Sequence, residues 1–174
     1  MIERHGIRRS AGAVILAALA ALVLAAPVAA CSVEVTHGRI HEFAVGADRG
    51  LHIRGQAVMI RTSAFGGRTE VFVHVRGLQP NTAYGAHVHK QACAAVDAAG
   101  NPTYADGHYQ FDPAGGANAV NEIWPEFTTN GAGVGNGFAR NDGIAGPTAV
   151  SVVIHAPKDP VTGVAAKIAC ADLA

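Results

Sequence analysis

Strict alternation of apolar and polar positions is clearest from Arg68 to Arg76, where Val71, Val73 and Val75 are separated by Phe72 and His74 and flanked by Glu70 and Arg76. A period of two puts the three valines on one face of an extended chain, so this stretch predicts a half-buried strand. Leu51 to Thr62 is also strand-like, and Ala64-Phe65-Gly66-Gly67 between the two predicts a hairpin connection. Pro147 to His155 carries Ala149, Val150, Val152, Val153 and Ile154. It is too apolar for an exposed strand and predicts one buried on both sides. Gly77 to Tyr84 reads as a Pro-Asn turn, after which a new extended segment runs through His87 and His89. Glu126-Phe127-Thr128-Thr129 enters Asn130-Gly131, a strong turn signal, and Gly133, Gly135 and Gly137 follow. Nothing after residue 30 offers ten residues of helical period with caps. The pattern predicts an all-β domain of short strands joined by Gly- and Pro-rich loops, a sandwich or barrel.

Two stretches stand outside this pattern. In residues 1–30, Arg4, Arg8 and Arg9 precede an uncharged apolar run from Ala13 to Ala26 and a small-residue exit, Pro27-Val28-Ala29-Ala30. That is the layout of an export signal, and the apolar run is short for a membrane span. Val28-Ala29-Ala30-Cys31 resembles the lipobox of bacterial lipoproteins, which would make Cys31 the lipidated first residue of the mature chain. An ordinary signal cleaved after Ala30 is the alternative. Residues 31–50, with His37, His41 and Asp48 scattered through mixed composition, read as a tether followed by a first strand or irregular lead-in, placing the domain at 51–174. His37 and His41 have no helical signals around them and read as tether histidines rather than ligands.

Charge and cysteines narrow the setting. The chain has 174 residues, 13 basic and 13 acidic. Removal of residues 1–30 takes three arginines and Glu3, leaving 10 basic against 12 acidic side chains. No nucleic-acid partner is expected of such a chain. Three cysteines are an odd number for an exported protein. Lipidation of Cys31 leaves Cys93 and Cys170 as a pair. If they bridge, they close a long loop worth roughly 4 to 5 kcal/mol on the chain-entropy model, and the compartment is oxidising.

Candidate chemistry lies in the histidines. Gly131 to Gly137 invites a dinucleotide-loop reading, but no helix opens after it and the fingerprint fails. His87 and His89, at i and i+2 on a predicted strand, point to one face. After residue 80 the remaining histidines are His108, in the long loop between Cys93 and Trp124, and His155, at the end of the apolar strand. Four imidazoles from a strand, a loop and a distant strand end suit copper, which favours nitrogen donors; the spacing also fits zinc.

Together, Gly85-Ala86-His87-Val88-His89, the Cys93 that follows, Gly107-His108-Tyr109, Val153-Ile154-His155 and Ala169-Cys170 resemble the copper,zinc superoxide dismutases, in the same order along the chain and over about Leu51 to Leu173. The resemblance implies a Greek-key β-barrel, one copper per chain on His87, His89, His108 and His155, and a Cys93–Cys170 disulfide. It places His108 where the family's zinc-bridging histidine stands. Yet no histidine lies between His108 and His155, so the two further zinc histidines are missing and Val120-Asn121-Glu122-Ile123-Trp124 takes their place. The chain therefore resembles a copper-only branch, and zinc is not expected. The segment from His155 to Cys170 is short for the family's charged loop, and the active-site arginine is Lys167, which keeps the charge but loses the planar two-pronged donor set. Without zinc, a carboxylate is expected to hold a copper histidine, either Glu122 or Asp159.

The resemblance implies superoxide dismutation at a copper site, and the signal layout with its lipobox would make it an exported, membrane-tethered site in the cell envelope, on a monomer or weak dimer. His108 would carry protons and Lys167 would attract the anion. Two other classes compete with it: copper storage on a dismutase-like scaffold, and a structural β-sandwich lipoprotein without metal.

Overall fold

The computed structural model describes residues 31–96, 99–100 and 102–174. The export signal read over residues 1–30 lies outside them. Alternation is converted into one antiparallel sheet of eight strands: β1 Val33–Glu42, β2 Arg54–Thr62, β3 Arg68–Arg76, β4 Ala83–His89, β5 Phe127–Thr128, β6 Val134–Asp142, β7 Ser151–His155 and β8 Lys167–Asp172. Their order across the sheet is β5-β4-β7-β8-β1-β2-β3-β6. The two end strands, β5 and β6, lie against each other, so the sheet is a nearly closed barrel. Crossovers from β3 to β4 and from β6 to β7 give it Greek-key connections. Among the described residues the helical content is Ala44–Ala47 and the single 3-10 turn Ala64–Gly66.

Each predicted strand has its counterpart. In β3 the valines Val71, Val73 and Val75 are buried while Phe72 and His74 are exposed. In β7 all five residues are buried, as their apolar run predicts. The core gathers Ile40, Met59, Val71, Val88, Val152 and Ile168 among others, each fully buried aliphatic side chain contributing about 1.5–3 kcal/mol. At the Pro80-Asn81 turn, Asn81 takes φ 51°, a left-handed conformation that asparagine tolerates.

Residues 31–50, read as a tether followed by a first strand or irregular lead-in, hold a strand: β1 begins two residues after Cys31 and pairs with both β2 and β8. The compact unit runs from Cys31 to Ala174, so the sheet starts upstream of residue 51. The glycine-rich run after the Asn130-Gly131 turn continues as β6, paired with β3 along its whole length. Its glycines answer to neighbours. A Cβ at Gly135 would fall 2.2 Å from the Phe127 ring, and one at Gly137 would fall 2.0 Å from the Pro125 carbonyl oxygen.

Candidate metal centre

β4 supplies His87 and His89 on one face, while Ala86 and Val88 between and before them enter the core. β7 runs antiparallel beside it and ends at His155, opposite Gly85. His108 comes from the long loop, which is hung on β4 by Tyr109 N–H donating to the Val88 carbonyl and Lys90 N–H donating to the Gly107 carbonyl. The four histidines predicted from the sequence thus meet. One ring nitrogen from each lies within 4.8 Å of all the others.

The inward and outward nitrogens are sharply divided. His87 Nδ1 lies 3.0 Å from His108 Nε2, and His89 Nε2 lies 3.3 Å from His155 Nε2. Every opposite nitrogen faces an oxygen: His87 Nε2 the Glu126 carboxylate at 3.4 Å, His89 Nδ1 the Asp106 carbonyl at 2.8 Å, His108 Nδ1 the Glu122 carboxylate at 2.6 Å, and His155 Nδ1 the Ala165 carbonyl at 3.3 Å. A neutral imidazole has one N–H. If the outward bonds take it in all four rings, the nitrogens that converge carry only lone pairs, which repel unless a cation sits among them. This donor set fits a copper or zinc ion.

Electrostatics keep His87, His89 and His155 neutral. Burial lowers the His87 pKa to about 4, with the His108 charge adding to it and Glu122 opposing. Burial lowers His89 to about 2, helped by His108, His155 and Lys167. For His155 burial again comes first, then His87, and the result is about 4. Neutral imidazole is the ligand form.

Of the two carboxylates expected to hold a histidine, Glu122 does so. It is only 2% exposed, and besides His108 it accepts from Trp124 Nε1 at 2.7 Å and Gln110 Nε2 at 2.9 Å. Burial works against its ionisation, but these hydrogen bonds outweigh it and hold the carboxyl below the usual range. Asp159 does not reach the histidines: its carboxylate accepts from the Val161 and Thr162 N–H groups of its own turn, and a backbone carbonyl holds His155 instead. Lys167 is turned toward the long loop. Its ammonium donates to the carbonyls of Asp106 at 2.6 Å and Thr103 at 3.3 Å. Cys93 and Cys170 form a disulfide, and Cys31 is exposed and outside it.

Several contributors carry no sequence signal. Asn141 on β6 donates to the carbonyls of Ala119, Val120 and Glu122, pinning the segment that presents the Glu122 carboxylate. The carbonyls of Asp106 and Ala165 belong to no motif. Beside His87, His108 and His155 a cleft of about 1010 Å³ opens, lined also by Tyr84, Trp124, Glu126, Phe127, Pro157 and Lys158. Among the described residues that line the cleft, Lys158 is the cation.

No protein-family model and no curated protein matches this chain. Among solved structures, it is similar to the Cu/Zn superoxide dismutase from Brucella abortus, at 21% identity and a TM-score of 0.51, over 81% of this chain and 100% of that one. It is also similar to a mutant of a SOD-like protein from Bacillus subtilis, at 15% identity and a TM-score of 0.48, over 79% of this chain and 96% of that one. A double mutant of a SOD-like protein from the same organism stands at 14% and 0.46, over 79% and 95%. With the Brucella protein the likeness is one of fold, so the nearly closed eight-stranded barrel is a barrel of the Cu/Zn superoxide dismutase type.

Proposed function

We propose that the protein is a copper-dependent superoxide dismutase of the cell envelope, tethered to a membrane through a lipid on Cys31. The observation that carries the reading is the convergence of four imidazole nitrogens whose partner nitrogens all face oxygen acceptors. Copper, once bound, would supply the one-electron chemistry by which one superoxide is oxidised to oxygen and another reduced to peroxide. The chain's own part is to hold the ligands and to handle the protons. Glu122 takes the outward nitrogen of His108, so a carboxylate of the chain itself orients this ring. His108 borders the open cleft and can pass a proton from solvent to a departing peroxide, while Glu122 holds its Nδ1 side. Lys158 at the cleft wall is placed to draw in an anion.

Copper storage on the same scaffold is the second reading, and the placement of Lys167 favours it, since that ammonium is spent on backbone carbonyls. One experiment separates the two. The oxidised protein is loaded with copper and zinc together, and bound metal and superoxide consumption are measured on the same sample. One copper with consumption well above free buffer is expected; one copper without consumption would make this a storage protein.

A further inference from the structure

At the end of the barrel where β1 begins, apolar side chains stand in solvent, and none of the described residues covers them. Ser32 N–H donates to Ser63 Oγ at 2.7 Å, so Cys31 sits beside the β2–β3 turn. At the tip of that turn Phe65 is 105% exposed and takes φ 53°, an unfavourable conformation for a bulky residue. Ile144 packs under Gly67 of the same turn and is still 49% exposed, and Val33 and Val35 point outward from the start of β1. None of these side chains serves the core, and a fully exposed phenylalanine beside other exposed aliphatics marks an interaction surface.

Charge and chain direction indicate the partner. Around this pole Arg61 pairs with Glu34 at 3.1 Å and Arg68 with Glu70 at 3.4 Å, while Asp142 stands opposite Arg68 and Arg140 opposite Glu70 in the sheet register. Three positive groups meet three negative ones, so the pole is apolar without net charge. Ser32 alone separates Cys31 from β1, and the uncharged run Ala13 to Ala26 lies just upstream in the sequence. Any membrane attachment at Cys31 therefore holds this pole against the bilayer with no spacer.

We propose that the Cys31 end of the barrel is a lipid-facing pole, with Phe65 and Ile144 seated in the interfacial region of a bilayer and Val33 and Val35 beside them. This rests on the membrane-tether reading of Cys31. It also orients the metal centre. Ala174 bonds to His37 and Asp172 sits on Gly38, and from there β8 runs back to Lys167, opposite His155. The cleft thus opens toward the Glu42 end of β1, roughly 30 Å of strand away from Val33 at ~3.3 Å per residue. It faces water, where a soluble anion arrives.

The chain has a single tryptophan, Trp124, in the cleft wall, which supplies an internal control. The full chain, expressed with its own leader, is reconstituted in phosphatidylcholine vesicles with brominated acyl chains, and tryptophan emission is read. Wild type is expected to be unquenched. Phe65→Trp combined with Trp124→Phe is expected to shift to the blue and to lose at least roughly half its emission, as for a side chain ~5–10 Å into the headgroup–acyl boundary. Anionic lipid or added salt should leave both results unchanged, because the pole is neutral. Vesicle-bound protein whose residue 65 probe stays unquenched overturns the proposal, and a blue shift without quenching, with cross-linked pairs, assigns the pole to a second copy. Protein left in the aqueous fraction overturns the tether reading and the proposal with it. Should Trp124→Phe unfold the protein, a nitroxide on Phe65→Cys, broadened by a relaxing agent dissolved in lipid, reads the same contact.

Discussion

His108 Nδ1 lies 2.6 Å from Glu122 Oε2, and the same oxygen accepts from Trp124 Nε1. A buried carboxylate so placed fixes the ring's tautomer and raises the basicity of the nitrogen that faces the other histidines. Glu122→Gln keeps the shape but removes the charge, and should weaken copper binding by about 10–100-fold, the usual cost of losing such a partner. Glu122→Ala strands several donors and should also destabilise the fold by about 3 kcal/mol. Competition titration with a copper chelator and chemical denaturation measure the two effects. A Gln variant with wild-type affinity would remove Glu122 from the account.

Lys167 acts on the site through Asp106, whose carbonyl accepts from both Lys167 Nζ at 2.6 Å and His89 Nδ1 at 2.8 Å. Lys167→Ala is therefore expected to destabilise the protein by about 1.5–3 kcal/mol, the range for a hydrogen bond to a charged group, and to loosen copper by releasing the carbonyl that orients His89. Lys158→Ala should do neither. Instead it should lower the rate of superoxide consumption and flatten its dependence on ionic strength, because exposed charge at the cleft steers an anion only while salt is low. The opposite pattern, with Lys167→Ala changing only the salt dependence, would return the steering role to Lys167.

Metal-free protein should lose stability in acid before its carboxylates titrate. His87 and His155 are lowered to about 4 and His89 to about 2, all chiefly by burial. Between the ordinary histidine pKa near 6.5 and these values the unfolded chain binds protons that the folded chain does not, so stability falls as pH falls. Above pH ~6.5 the contribution is fully present; below it each such histidine costs up to about 1.4 kcal/mol per pH unit, until the folded ring titrates too. Denaturant midpoints of the apo protein from pH 7.5 to 4.5 test this. A midpoint that stays level from pH 7 to 5 would contradict it, and bound copper should steepen the loss because protons then compete with metal for the same nitrogens.

How much of this was legible depended on whether a residue's role is local. Val71, Val73 and Val75 announce their strand because alternation is a property of neighbours in sequence. The four histidines and the cysteine pair were legible for a related reason: few residue types bind metal or bridge, so their occurrence in order along the chain is informative. The roles of Gly135 and Gly137 were not legible because the Phe127 ring and the Pro125 carbonyl that need their missing side chains come from another strand and the segment before it. β1 was obscured because its outward positions mix Val33 and Val35 with His37, Arg39 and His41, and its alternation yields only one well-buried residue, Ile40. Glu122 could be narrowed to one of two carboxylates but not chosen, since Asp159 differs from it only in where its turn points. The carbonyls of Asp106 and Ala165 were beyond reach, as every residue has one.

The Cys93–Cys170 disulfide ties the long loop to the sheet at the point where the loop leaves β4, and Cys93 N–H donates to Asp172 Oδ1 at 2.7 Å beside it. That loop carries His108 and both residues 103 and 106, whose carbonyls receive Lys167. The bridge spans 77 residues of sequence, which by chain entropy stabilises the fold by about 4.5 kcal/mol at most. Reduction should therefore act twice, lowering the denaturant midpoint and weakening copper binding through a displaced His108, with His87, His89 and His155 left on their strands. The Cys93→Ala, Cys170→Ala double variant should reproduce both effects and should be insensitive to reductant. Unchanged copper affinity in a reduced but folded protein would mean that the backbone bonds of Tyr109 and Lys90 to β4 hold His108 by themselves.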